Sequence, residues 1–150
     1  MKNKIKTARN ILILWYALFQ AVHLIFLLKA GYVVLTKLKF TFPASPPERG
    51  WNPQSALFLI CMGGIDFIVI LLSFLFFFSF LRKKSYTFRL GVINLSQMVY
   101  SAFFFGAATF ACGAWYTHPY EYLGMATAFI PVFILFLLYC FSPAQDIGTS

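Results

Sequence analysis

The sequence predicts an all-α protein, a four-helix transmembrane bundle with N- and C-termini cytoplasmic and one long external loop between helices 1 and 2. Three observations predict it. Four apolar runs, at about residues 11–28, 56–81, 90–114 and 123–141, meet the ~17–25 residues needed to span a hydrocarbon core, within a residue or two. Only 11% of residues are charged, well below the roughly 25% of soluble domains, and they gather between the runs. Helix-starting and helix-stopping residues fall at the run ends. Backbone polar groups must pair internally in lipid, so the runs are helices. Residues 1–150 read as a single domain, without internal repeats.

The first run follows Lys2, Lys4, Lys6 and Arg9, which is how a secretory leader begins. It is longer than the ~7–15 residues of a leader's apolar core, and no small-x-small cleavage site follows. It is therefore expected to stay as helix 1. The external loop then runs from Lys29 to Ser55. Its first half, YVVLTKLKFTF, alternates partially and reads as a short strand or an extension of helix 1. Its second half, PASPPERGWNPQ, is too rich in proline for regular helix and is placed to fold over the outer mouth of the bundle.

Helix 2 starts at Asn52-Pro53, a capping residue before a proline suited to the first helical position. The loop RKKSYTFR separates it from helix 3. His118-Pro119-Tyr120-Glu121 starts the fourth helix, with Glu121 at a capping-box position, and Ser142-Pro143 ends it. Eight basic residues lie in the N-terminal segment and the RKK loop, against Lys29, Lys37, Lys39 and Arg49 in the external loop. That bias puts both chain ends inside. Trp51, Trp115, Tyr116, Tyr120 and Tyr122 suit the outer interface; Trp15, Tyr86 and Tyr139 suit the inner one.

The net charge of +8 is not a nucleic-acid signature, because the basic residues flank apolar runs and no nucleic-acid module is present. Cys61, Cys112 and Cys140 have no CxxC or metal-ligand spacing and read as small apolar residues, with a Cys61–Cys112 pair as the alternative. No phosphate loop, HExxH or GxSxG occurs, so no metal, no cofactor and no catalytic set is assigned.

The chemistry that remains is intramembrane. Asp66 lies near the middle of helix 2, where an acid costs ~2.5–3.5 kcal/mol on insertion scales. Gln20 and His23 of helix 1, and Gln97 and Ser101 of helix 3, lie at a similar depth at 1.5 Å per residue. Tyr16, Gln20 and His23 share one helical face, as do Asn94, Gln97 and Ser101, and Gly63, Asp66 and Ser73. Three polar stripes facing inward predict a polar bundle centre, with Phe74, Phe76, Phe77 and Phe78 toward lipid or neighbours. Gly124 with Ala128, and Ala102 with Gly106, read as close-packing contacts.

Two readings of Asp66 compete. It hydrogen-bonds His23 or Gln97 and fixes helix register, or it marks a ligand or protonation site. The expected site is Asp66, His23, Gln20, Gln97, Ser101 and Asn94, lining an intramembrane cavity for a lipophilic ligand.

The layout resembles the emopamil-binding and sigma-two receptor group, the EXPERA domain, from about Trp15 to Pro143. The likeness rests on four helices, the proline- and tryptophan-containing loop PPERGW, the basic connection RKKSYTFR, and AFIPVFILFLL ending in SP. It implies a membrane-buried cavity for sterol-like or other lipophilic amines. Some members are sterol isomerases that shuttle a proton with acids and a histidine. This chain departs from them: Lys29 stands where the family has an acid, and Asp66 lies about one turn deeper than the family's second acid, near Met62. The DoxX-like proteins are similar in layout to about the same degree. The eicosanoid and glutathione-metabolism membrane enzymes share the size, but their arginine-rich core motif is missing.

The expected function is thus a small integral, multi-pass membrane protein of the plasma membrane, or of the inner membrane in a bacterium, holding a lipophilic small molecule. One alternative is an accessory subunit with protein partners or a homo-oligomer. Another is a lipid- or sterol-modifying isomerase-type enzyme using Asp66 and His23. Membrane lipids are partners under every reading, and nucleic acid under none.

Overall fold

The computed structural model describes residues 2–37 and 44–141, with side chains from residue 7 onward. It contains α1 (Lys2–Lys37), α2 (Pro53–Leu81), α3 (Thr87–Ala111), the single turn α4 (Ala114–Thr117) and α5 (Pro119–Phe141), with no strand among the described residues. Four of these helices are long and apolar enough to cross a membrane, the make-up of an integral multi-pass protein. They run up, down, up and down. α1 and α3 each lie beside α2 and α5, so α1 faces α3 only across the bundle centre.

Each boundary has a local cause. The Asn52 side chain accepts from the Ser55 N–H at 2.8 Å, and Pro53 opens α2. At the other end of α2, Lys84 N–H reaches Ser79 O and Lys83 N–H reaches Phe80 O, the paired bonds of a Schellman stop. Lys83 takes the left-handed conformation there (φ 49°), a place usually given to glycine. Gly113 (φ 86°) fills the equivalent place after α3. α1 outruns its apolar core at both ends, and residues 29–37 of the segment joining the first two spans are helix. No proline interrupts it until Pro43, and Lys29 and Lys37 are exposed, free to extend toward water. Residues 38–43 of the strand-or-helix segment, and the Ser142-Pro143 stop, lie outside the described residues.

The central core joins Ile13 and Tyr16 of α1, Val69 and Phe76 of α2, Leu95 and Met98 of α3, and Val132, Leu135 and Tyr139 of α5. Phe76, expected toward lipid or a neighbour, is fully buried, with its ring edge-on to Tyr139 at 5.5 Å. Tyr139 and Tyr122, expected at the interfaces, are buried too. Gly91 opens the space on α3 into which the Phe76 and Tyr139 rings pack. Pro131 stays within α5; near it, the Trp15 indole donates to Ala128 O at 3.1 Å. All three cysteines are free thiols, so Cys61 and Cys112 do not pair.

The close approach between helices is at Gly91, not at Gly106 or Gly124, which have open space where a Cβ would stand. A methyl on Gly91 would stand 2.7 Å from a Phe76 ring carbon and nearer still to the Tyr139 ring. Gly91→Ala is expected to cost about 1–3 kcal/mol through overpacking. It should lower the thermal unfolding midpoint in detergent, while Gly106→Ala does not. An unchanged midpoint for Gly91→Ala would contradict this packing.

Candidate functional site

Six side chains from three helices form two polar layers inside the bundle. α1 contributes Tyr16 and His23, α2 contributes Ser73 and Asp66, and α3 contributes Asn94 and Ser101. Within each helix the pair is seven residues apart, two turns or about 10 Å along the axis. Because α2 runs opposite to α1 and α3, Tyr16, Ser73 and Asn94 meet at one level. His23, Asp66 and Ser101 meet at the other.

The first layer is closed. Asn94 Nδ2 donates to the Tyr16 hydroxyl at 2.8 Å and to Ser73 Oγ at 3.1 Å. The two hydroxyls are 2.7 Å apart, and Ser73 Oγ is also 2.7 Å from Val69 O. Each hydroxyl has one proton. The shortest contacts are satisfied together when Tyr16 donates to Ser73 and Ser73 donates to Val69 O. All three side chains are buried. The layer links α1 to α3 across the centre, where their backbones do not touch.

Gln20 lies between the layers. Its Nε2 donates to Met98 Sδ at 3.2 Å, and its Oε1 is buried without a hydrogen-bond partner.

The second layer is open. Ser101 Oγ donates to Asp66 Oδ1 at 2.5 Å. The other carboxylate oxygen, Oδ2, is 3.9 Å from His23 Nε2, too far for a hydrogen bond. The His23 and Asp66 side chains keep 26% and 14% of their surface exposed, so this level is not sealed. His23 Nδ1 is buried with no hydrogen-bond partner, and Phe19 packs edge-on against the imidazole.

Five of the six expected site residues therefore point inward: Asp66, His23, Gln20, Ser101 and Asn94. Asp66, His23 and Ser101 share one level, Asn94 belongs to the other, and Gln20 lies between them. Gln97 does not join them, because it is exposed on the outer side of α3. The buried face of α3 centres between Asn94 and Met98, and one residue before Met98 is about 100° of rotation away. Spacing of i, i+3 from Asn94 was therefore too coarse to place it. Among the described residues no three of His, Cys, Asp and Glu come together, so no metal-holding set is present there.

Sequence reasoning missed the cluster at the loop end. Glu121 makes no capping box. Its Oε1 accepts from the Ser45 N–H at 2.9 Å, its Oε2 accepts from the Ser45 hydroxyl at 2.5 Å, and Tyr122 donates to Ser45 O at 2.7 Å. Three hydrogen bonds thus latch the proline-rich loop to the start of α5. Ala44, Ala114 and Tyr122 are buried behind the latch, with Trp51 and Trp115 packed on them. Nothing local in the sequence links Ser45 to a residue more than seventy positions away.

The chain matches no family model, no curated protein and no solved structure.

Glu121→Ala removes both carboxylate acceptors. A hydrogen bond to a charged group contributes ~1.5–3 kcal/mol, so amide exchange at Ser45 is expected to rise by about tenfold or more. Exchange within α2 and α3 should not change. Equal protection of Ser45 in both proteins would contradict the latch.

Proposed function

We propose that this is a small multi-pass membrane protein that holds a lipophilic ligand at the Asp66–His23 level, inside the bilayer. The ligand's polar group is a hydrogen-bond donor or a base, and its apolar body lies among the surrounding side chains. The observation that carries this reading is the unfilled contact between Asp66 Oδ2 and His23 Nε2, 3.9 Å apart and partly exposed. Ionisable side chains within a span are costly and face partners. Asp66 has one protein hydrogen bond, from Ser101, and its second oxygen is left for a donor.

Two further atoms support it. Gln20 Oε1 and His23 Nδ1 lie one turn apart on α1, both buried without a hydrogen-bond partner. A buried polar atom left unsatisfied costs ~1–3 kcal/mol, so the level has hydrogen-bonding capacity the protein itself does not use. The Tyr16–Ser73–Asn94 layer is fully buried and all its donors are taken, so it serves as the floor. The reading accords with the lipophilic-amine cavity that the EXPERA resemblance implies. It assigns no turnover to the pair.

The test is native mass spectrometry of the full-length protein purified in mild detergent. Asp66→Asn keeps an acceptor for Ser101 and should keep the wild-type unfolding midpoint while losing the co-purified lipid adduct. Asp66→Leu should lose the adduct as well. If both variants carry the adduct at wild-type intensity, the site is not where the ligand binds.

A further inference from the structure

The outward position of Gln97 has a consequence of its own. Ile93, Gln97, Tyr100, Phe104, Ala107 and Ala111 are all exposed, and they follow one another at spacings of four, three, four, three and four residues. That is the spacing of a heptad seam, which stays on one side of a helix along its length. The seam runs along most of α3, one of the four membrane-crossing helices.

Two of its members are polar at a depth where lipid offers nothing to bond. Gln97 lies ~15 Å along the axis from Thr87, close to the middle of the helix. It has no hydrogen-bond partner among the described residues. Tyr100, one turn further on, is 63% exposed and its hydroxyl is likewise unpartnered among them. Its ring packs on Phe104 of the same seam at 4.4 Å, which holds it along the helix rather than out toward a headgroup. Elsewhere on the lipid-facing surface, the exposed side chains at comparable depth, such as Leu18, Ile68 and Ile130, are apolar. Exposed Thr127 has its hydroxyl bonded to Leu123 O.

We infer that this face of α3 binds a second copy of the chain, in a parallel pair about a twofold axis along the membrane normal. The chemistry selects that occupant. A twofold interface joins the same patch of both copies, so residues near its axis meet their own counterparts. The Gln97 carboxamide carries both donors and an acceptor, so two of them across the axis satisfy each other. Each Tyr100 hydroxyl, one turn away, is within reach of the same pair. Ala107 and Ala111 are small, which lets the two helices approach closely beyond the polar pair. Apart from the partly open Asp66–His23 level, the exposed side chains at this depth offer apolar contact, which lipid supplies equally well.

The test uses full-length protein labelled in two colours and reconstituted in phosphatidylcholine vesicles across a series of protein-to-lipid ratios. Energy transfer above random proximity is expected for the wild type, falling on dilution with lipid. Gln97→Leu is expected to weaken association by about tenfold or more, while Gln97→Asn retains most of it. Phe133→Leu, on the lipid face of α5, should associate as the wild type does. Gln97 makes no hydrogen bond within its own bundle, so the unfolding midpoint of Gln97→Leu should match the wild type. The proposal is overturned if the wild type shows no specific transfer at any ratio, which would leave lipid or a different protein on this face. It is equally overturned if Gln97→Leu associates as tightly as the wild type.

Discussion

The hydrogen-bonded layer of Tyr16, Ser73 and Asn94 sets the arrangement on which the rest of the structure depends. In lipid, apolar burial does not favour helix–helix contact over helix–lipid contact as it would in water. Most large apolar side chains here fit either environment. What distinguishes one register of four helices from another is the set of groups that lipid cannot satisfy. Asn94 has a donor within bonding distance of α1 and of α2 at once. A shift of one residue in any of the three helices would leave at least one buried polar group unpaired. Close packing works in the same direction: Gly91 lets Tyr139 and Phe76 come against the α3 backbone one turn from Asn94.

With that register fixed, a seven-residue repeat places the second layer. His23, Asp66 and Ser101 are each two turns from a member of the first layer, so they meet without any further device. The two levels differ in completeness. At the first, three short hydrogen bonds are shared among buried side chains. At the second, one carboxylate oxygen is bonded, the other faces a histidine beyond hydrogen-bond length, and surface remains exposed. The same helices thus build a closed structural layer and an open one. Toward the loop end, the Glu121–Ser45 latch fastens the proline-rich loop between α1 and α2 beside α5.

Much of this was legible in the sequence because apolar length and charge segregation are strong signals. The four spans, the Asn52-Pro53 start, and the inward direction of Asp66, His23, Ser101 and Asn94 all follow from run length, capping chemistry and helical phase. The extension of α1 past Leu28 was legible only as one of two alternatives, strand or helix, because partial alternation fits both and a hydropathy window ends where lysines begin. Gln97 lies outside because Met98, not Gln97, shares the inner face with Asn94 and Ser101, and polarity at i, i+3 and i+7 does not distinguish the two. The burial of Phe76 and Tyr139 has no local signature, because an aromatic ring suits a core and a lipid face alike. The Ser45–Glu121 contact joins distant parts of the chain and has no local signature. The recurrence of polar residues at i and i+7 on three helices was visible, and it was the signal for two levels rather than one.

The central claim, that a polar layer holds the helices in register, is tested most directly by a double-mutant cycle on stability in a bilayer mimetic. The substitutions are Tyr16→Phe, Asn94→Ala and the two together. Interhelical hydrogen bonds in membranes average ~0.6 kcal/mol and reach ~1.7. A favourable coupling between Tyr16 and Asn94 toward the upper end of that range is expected, since both are fully buried and share Ser73. Strictly additive effects of the two substitutions would contradict it.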